Sequence, residues 1–245
     1  MKSSGGTDFL LPVVTTGTVV ALVAIGNYYE SLPDADPDLD FVEEVLIADP
    51  DRSVGVAHWN EPIVVAFQSD EPEDTRLMGY AAAQLNPALS ETGMSIRLES
   101  SQTPPANVRV VFAPREKWGE IAVEVDLDSD PYVQGWAWQW SEDEDNTAIL
   151  TNGYIVINSR QPPSERFATI LHELFHVVAA AGHSSQYYES IVNKSDLGDF
   201  LRMSELAEVD RALLQFLYGT VEAGDSAEDV RRKYSDAWPL RLAAQ

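Results

Sequence analysis

The segment "PPSERFATILHELFHVVAAAGH", residues 162–183, leaves the chain few choices of local structure. Phe167, Ile170, Leu171, Leu174 and Val178 recur at three- and four-residue intervals, the period of a helix with one buried face. Pro162-Pro163-Ser164 marks the start, with Ser164 as the expected cap and Glu165 in the first turn, where the helix dipole favours a carboxylate. Ala181-Gly182 reads as the end, Gly182 supplying the left-handed residue that sends the chain back. The expected helix covers 165–181.

His172 and His176 lie four apart on this helix, so their rings stand one turn above the other. Zinc can accept a nitrogen from each without distorting the backbone. Glu173 is rotated by about 100° from His172 and can reach a water beside the metal, the place of a general base. Catalytic zinc usually takes a third protein ligand. His183, just past the expected turn at Gly182, leads; Glu189, Glu205 and Glu208 compete. Three readings stay open: a zinc-dependent hydrolase of peptide bonds, a non-catalytic exported domain with a degenerate metal site, and a glutamate-ligated zinc hydrolase.

Composition narrows the partners. Forty acidic against 16 basic residues give a formal net charge of −24, which repels phosphate backbones and argues against nucleic-acid binding. The absence of cysteine excludes disulfides and thiolate ligands. Residues 9–26, "FLLPVVTTGTVVALVAIG", carry no charge, follow Lys2 and precede an acidic stretch. This pattern predicts export of everything downstream, with 1–30 as signal peptide or signal anchor and an extracytoplasmic, secreted or membrane-tethered protein.

Residues 31–52, rich in Pro and Asp, read as an exposed acidic linker. Strands are expected at 62–67, 94–100 and 107–114, a helix over 72–90 broken near Pro87, and a hairpin and strand over 134–159. Trp136, Trp138 and Trp140 alternate, so their indoles share one face. Further helices are expected at 205–218 and after Ser226. Strands and helices mixed in this order predict an α+β domain around a mixed sheet over 53–222, with a partly helical tail over 223–245. "DLDSD" (126–130) lacks the Gly and Glu that a calcium loop requires and reads as a solvated acidic loop. Tyr187 and Tyr188 read as rim packing, and "RRK" (231–233) as a basic cluster paired with nearby carboxylates.

The histidine segment resembles the metzincin zinc peptidases, particularly the matrixin-like group, whose pattern runs HExxHxxGxxH with a Met-containing turn downstream. "HELFHVVAAAGHSS" carries both helix histidines, the glutamate, a turn glycine and a third histidine. "YESIVN" (188–193) looks like the position of the Met-turn, and "SELAEVDRALLQFLYG" (204–219) is similar to the final helix. Here His183 follows His176 by seven residues instead of six, and Val192 stands where the methionine would be. The chain is also similar to a bacterial exported domain of unknown function. The resemblance implies a metzincin-like fold with an active-site helix and a C-terminal helix. It also implies Zn2+ on His172, His176 and His183, Glu173 as catalytic base, a hydrophobic floor at Val192, and a protein or peptide substrate.

Overall fold

The computed structural model describes residues 36–47, 55–69, 71–99, 106–121, 134–141, 148–194 and 203–240. The apolar segment 9–26, the acidic stretch 126–130 and the turn at 142–147 lie outside the described residues. From Pro37 on, the chain gathers into one compact unit.

Its centre is a five-stranded sheet of order β3-β2-β4-β7-β5, built from β2 (Ile63–Gln68), β3 (Ile96–Glu99), β4 (Val108–Ala113), β5 (Gly135–Trp140) and β7 (Asn152–Asn158). Four strands run parallel, and β5 pairs antiparallel with β7 in the register Trp140↔Asn152 to Gly135↔Ile157. The mixed sheet matches the sequence expectation. Residues 148–150 do not join the hairpin; β6 (Ile149–Leu150) pairs instead with β1 (His58–Trp59) in a small parallel ladder.

β7 reads "NGYIVIN" and is buried from Gly153 to Ile157, because both of its faces are covered. Ile155 and Ile157 belong to the main core, while Tyr154 and Val156, on the opposite face, join Ala113 and Trp118 in a second cluster. Trp136 and Trp140 pack onto that second cluster, and Trp138 between them is 41% exposed. The three indoles therefore cover the sheet face that looks away from the histidine helix.

Two long helices, α2 (Pro72–Leu89) and α4 (Pro163–Ala179), pack against each other over the sheet. α2 continues through Pro87, which lies in its last turns. Between them in sequence, α3 (Trp118–Ile121) is a single turn. α4 is buried continuously from Ala168 to Ala179, which explains why, His172, Glu173 and His176 apart, its C-terminal half is apolar on every face. Ser164 does not cap it: Pro162 is the cap and Pro163 opens the first turn, where a missing N–H costs nothing.

Residues 37–46, expected within an exposed linker, form α1 (Pro37–Leu46). Pro37 opens it, Asp38 and Asp40 occupy its first turn, and Phe41, Val42, Val45 and Leu46 on one face are at most 2% exposed. The C-terminal stretch also packs into this unit. α5 (Glu208–Gly219) and α6 (Ala227–Ala237) bring Phe216, Tyr234 and Trp238 together at centroid distances of 5.5–6.3 Å. Ser226 and Asp229 cap α6 reciprocally. Arg231, Arg232 and Lys233 pair with Glu43, Asp229 and Asp225, as expected of the basic cluster.

Candidate metal centre

His172 and His176 are buried on α4, and His183 lies on the exposed rim of the loop that follows. Their Nε2 atoms converge: His176 Nε2 is 3.0 Å from that of His172 and 3.2 Å from that of His183. A tetrahedral zinc with Zn–N bonds of about 2.0–2.1 Å holds its ligand nitrogens about 3.3 Å apart. Among the described residues these three form the one group of His, Cys, Asp or Glu able to share a metal ion. Glu189, Glu205 and Glu208 are exposed and stand outside it.

The backbone fixes which nitrogen of each buried ring faces the centre. His172 Nδ1 lies 2.6 Å from the Ile191 carbonyl, and His176 Nδ1 lies 2.7 Å from the Ala181 carbonyl. A carbonyl only accepts, so Nδ1 carries the proton in each neutral ring and Nε2 presents a lone pair. Two lone pairs 3.0 Å apart repel unless a cation lies between them. Burial, with the charge of His183 adding to it, pushes the His172 pKa down to about 3, so a second proton does not serve. A divalent metal bound by neutral imidazoles fits this donor set, and the carbonyl partners are the supports such ligands need.

Each support comes from a local turn. The C-terminus of α4 is closed by Ala180 at φ 47° and ψ 36°; Gly182 does not take the left-handed conformation expected of it. Ala180 is the one non-glycine with positive φ among the described residues. It turns Ala181 so that its N–H donates to the His176 carbonyl and its carbonyl accepts from the His176 ring. A side chain in this conformation costs roughly 1–2 kcal/mol. Ala180→Gly is expected to raise the unfolding free energy by about 0.5–1 kcal/mol, with zinc affinity unchanged, measurable by denaturant unfolding beside a zinc titration. Gly182 serves another purpose, close approach: a Cβ there would lie 3.2 Å from the Glu44 carbonyl oxygen of α1.

The support of His172 is longer. Ser190, Ile191, Val192 and Asn193 are buried and tightly turned, with Asn193 N–H donating to Ser190 O and its side chain to Tyr187 O. Asp210 of α5, fully buried, accepts from Ser190 Oγ at 2.6 Å, Ile191 N at 3.0 Å and Ala207 N at 2.9 Å. Burial pushes its pKa up to about 6 against these hydrogen bonds. The sequence offered one signal for Asp210: a lone carboxylate on the apolar face of α5.

Glu173 is 6% exposed, and its carboxyl lies against Gly135 of edge strand β5. A Cβ on Gly135 would lie 2.5 Å from Glu173 Oε1, so only glycine leaves room for the carboxyl there. Burial raises its pKa to about 8. Tyr187 donates to Asp38 and packs edge-on against Phe41, and Tyr188 is 64% exposed; both are rim residues.

A family model described as "Protein of unknown function (DUF2927)" matches residues 39–235. The chain belongs to this family. The matched range begins inside α1 and ends inside α6, so it extends beyond the expected 53–222 core into the helices on either side. Comparison with curated proteins finds no match. Among solved structures the chain is similar to two of myroilysin. One, at 12% identity and a TM-score of 0.38, covers 68% of this chain and 97% of the other. The second, also at 12% identity, has a TM-score of 0.35 and covers 75% and 96%.

Proposed function

We propose that this protein is a zinc-dependent hydrolase of peptide bonds, metzincin-like in fold and acting outside the cytoplasm. One observation carries the reading: three imidazole nitrogens meet at zinc-ligand spacing, two of them fixed as lone-pair donors by backbone carbonyls, with the Glu173 carboxyl buried one residue away. The sheet order with its antiparallel edge strand, and the turn at Ser190–Asn193 beneath His172, support the metzincin-like reading of the architecture.

His172, His176 and His183 hold the metal in this reading. A bound zinc supplies Lewis acidity, drawing the pKa of water towards neutrality and polarising a carbonyl. Glu173 takes the proton of the attacking water and passes it to the leaving amine. A carboxyl whose pKa lies near 8 without a cation is poised to exchange protons around neutrality, and a nearby metal charge lowers it towards the ionised form a base requires. β5, which pairs with no strand on its outer side among the described residues and whose Gly135 abuts Glu173, is where an extended peptide adds as a further strand in this reading. Val192, fully buried, provides the apolar floor. Residues 9–26 direct export or tether the chain to a membrane; among the described residues no helix is long and apolar enough to cross one.

The test is metal dependence. Purified protein should contain about one equivalent of zinc and cleave an unstructured protein such as casein. A chelator should stop cleavage, and zinc should restore it. Full zinc occupancy with no cleavage across a broad peptide library would leave a metal-binding domain and remove the hydrolase.

A further inference from the structure

His183 is the ligand with the least support of its own. It is exposed, and it stands in a loop between α4 and the turn at 190. The neighbours of His183 in sequence are nevertheless gripped on both sides, and by the same turn of α1. Before it, Gly182 N–H donates to the Val45 carbonyl at 2.7 Å. After it, the Glu44 carboxylate takes three donors: Ser184 Oγ at 2.7 Å, Ser185 N at 2.9 Å and Gln186 Nε2 at 3.0 Å. On the other flank Ser184 is bridged to the turn, its N–H donating to Val192 O and its carbonyl accepting from Lys194 N.

Glu44 is out of place by local rules. It occupies the last turn of α1, where the helix dipole disfavours a carboxylate. Residues that break a local preference are usually retained for what they touch. What Glu44 touches is the three residues following the third imidazole, 140 to 142 positions away in sequence.

We propose that Glu44 is the positioning residue for His183: its carboxylate holds Ser184, Ser185 and Gln186 so that the third imidazole closes over the pair on α4. The inference rests on the metal-centre reading above. It assigns α1 a task at the site, since the loop has no helix or strand of its own to set the ring's direction.

The experiment measures zinc affinity on the full chain by competition with a chromophoric chelator, well below the melting temperature, for wild type, Glu44→Ala, Glu44→Gln, His183→Ala and the double variant. Glu44→Ala should weaken zinc binding by about 10–100-fold, the usual cost of losing a residue that orients a ligand. Glu44→Gln keeps one acceptor oxygen and should recover much of that loss. In the His183→Ala background Glu44→Ala should change affinity little, because the ring it positions is gone. A role in stability alone would lower the melting temperature and leave the affinity of the folded protein unchanged, which overturns the proposal. An equal loss with and without His183 overturns it too. Failure of wild type to bind zinc would overturn the metal centre and this proposal together, whereas tight binding that Glu44→Ala leaves untouched would overturn this proposal alone.

Discussion

Glu173→Ala is expected to abolish measurable peptide hydrolysis, a fall of roughly 10²–10⁴-fold for loss of a general base, with zinc content unchanged. The separation follows from placement. Glu173 is turned towards Gly135 of β5 and stands outside the three-nitrogen cluster, so its removal takes away a proton carrier and no ligand. Hydrolysis is read from initial rates at saturating casein, and zinc by elemental analysis of the same sample. The substitution has a second, opposite consequence in the metal-free protein. Burial alone raises the Glu173 pKa to about 8, so at higher pH the fold carries an ionised carboxylate in an apolar setting. That cost is present above about pH 8 and disappears as pH falls from there towards the ordinary value of 4.5. Metal-free Glu173→Gln should therefore melt above metal-free wild type at pH 9, with the gap narrowing as the pH falls below about 8 and closing only near pH 4.5.

The largest stability effect should come from a pair outside the site. Arg166 on α4 donates to Asp74 on α2 at 2.6 Å, and the two side chains are 10% and 1% exposed. Ser69 Oγ donates to the second Asp74 oxygen at 2.5 Å. Removing one partner leaves a charge in the interface of the two helices that define the core. Asp74→Ala or Arg166→Ala should lower the unfolding free energy by about 3–5 kcal/mol. Replacing both by apolar residues of similar volume, such as Asp74→Leu with Arg166→Met, should recover most of the loss. Urea unfolding of the three variants decides it; single substitutions costing less than about 1 kcal/mol would show that water reaches the pair. This ion pair also fixes the start of α4, six residues before His172.

The sequence made α4 and its chemistry legible because both follow from one period. Five apolar residues at helical spacing place His172 and His176 on neighbouring turns whatever surrounds them. The parallel core strands were legible for the same reason, as β-branched runs between turn residues. What escaped depended on distant partners. α1 looked like a linker because Pro and Asp dominate its composition, although its apolar residues at 41, 42, 45 and 46 share one helical face. Residue chemistry points to Gly182 for the turn after α4, but Gly182 is required for its approach to α1, and Ala180 takes the left-handed conformation. Residues 148–150 sit beside the hairpin in sequence, but their partner β1 lies about ninety positions earlier. Gly135 gave no signal, since its role is to leave space for Glu173.

The most direct measurement is X-ray absorption at the zinc edge on protein loaded with one equivalent of the metal. The geometry predicts three imidazole nitrogens at about 2.0–2.1 Å, falling to two in His183→Ala. A first shell of carboxylate oxygens, or an imidazole count that His183→Ala leaves unchanged, would contradict it.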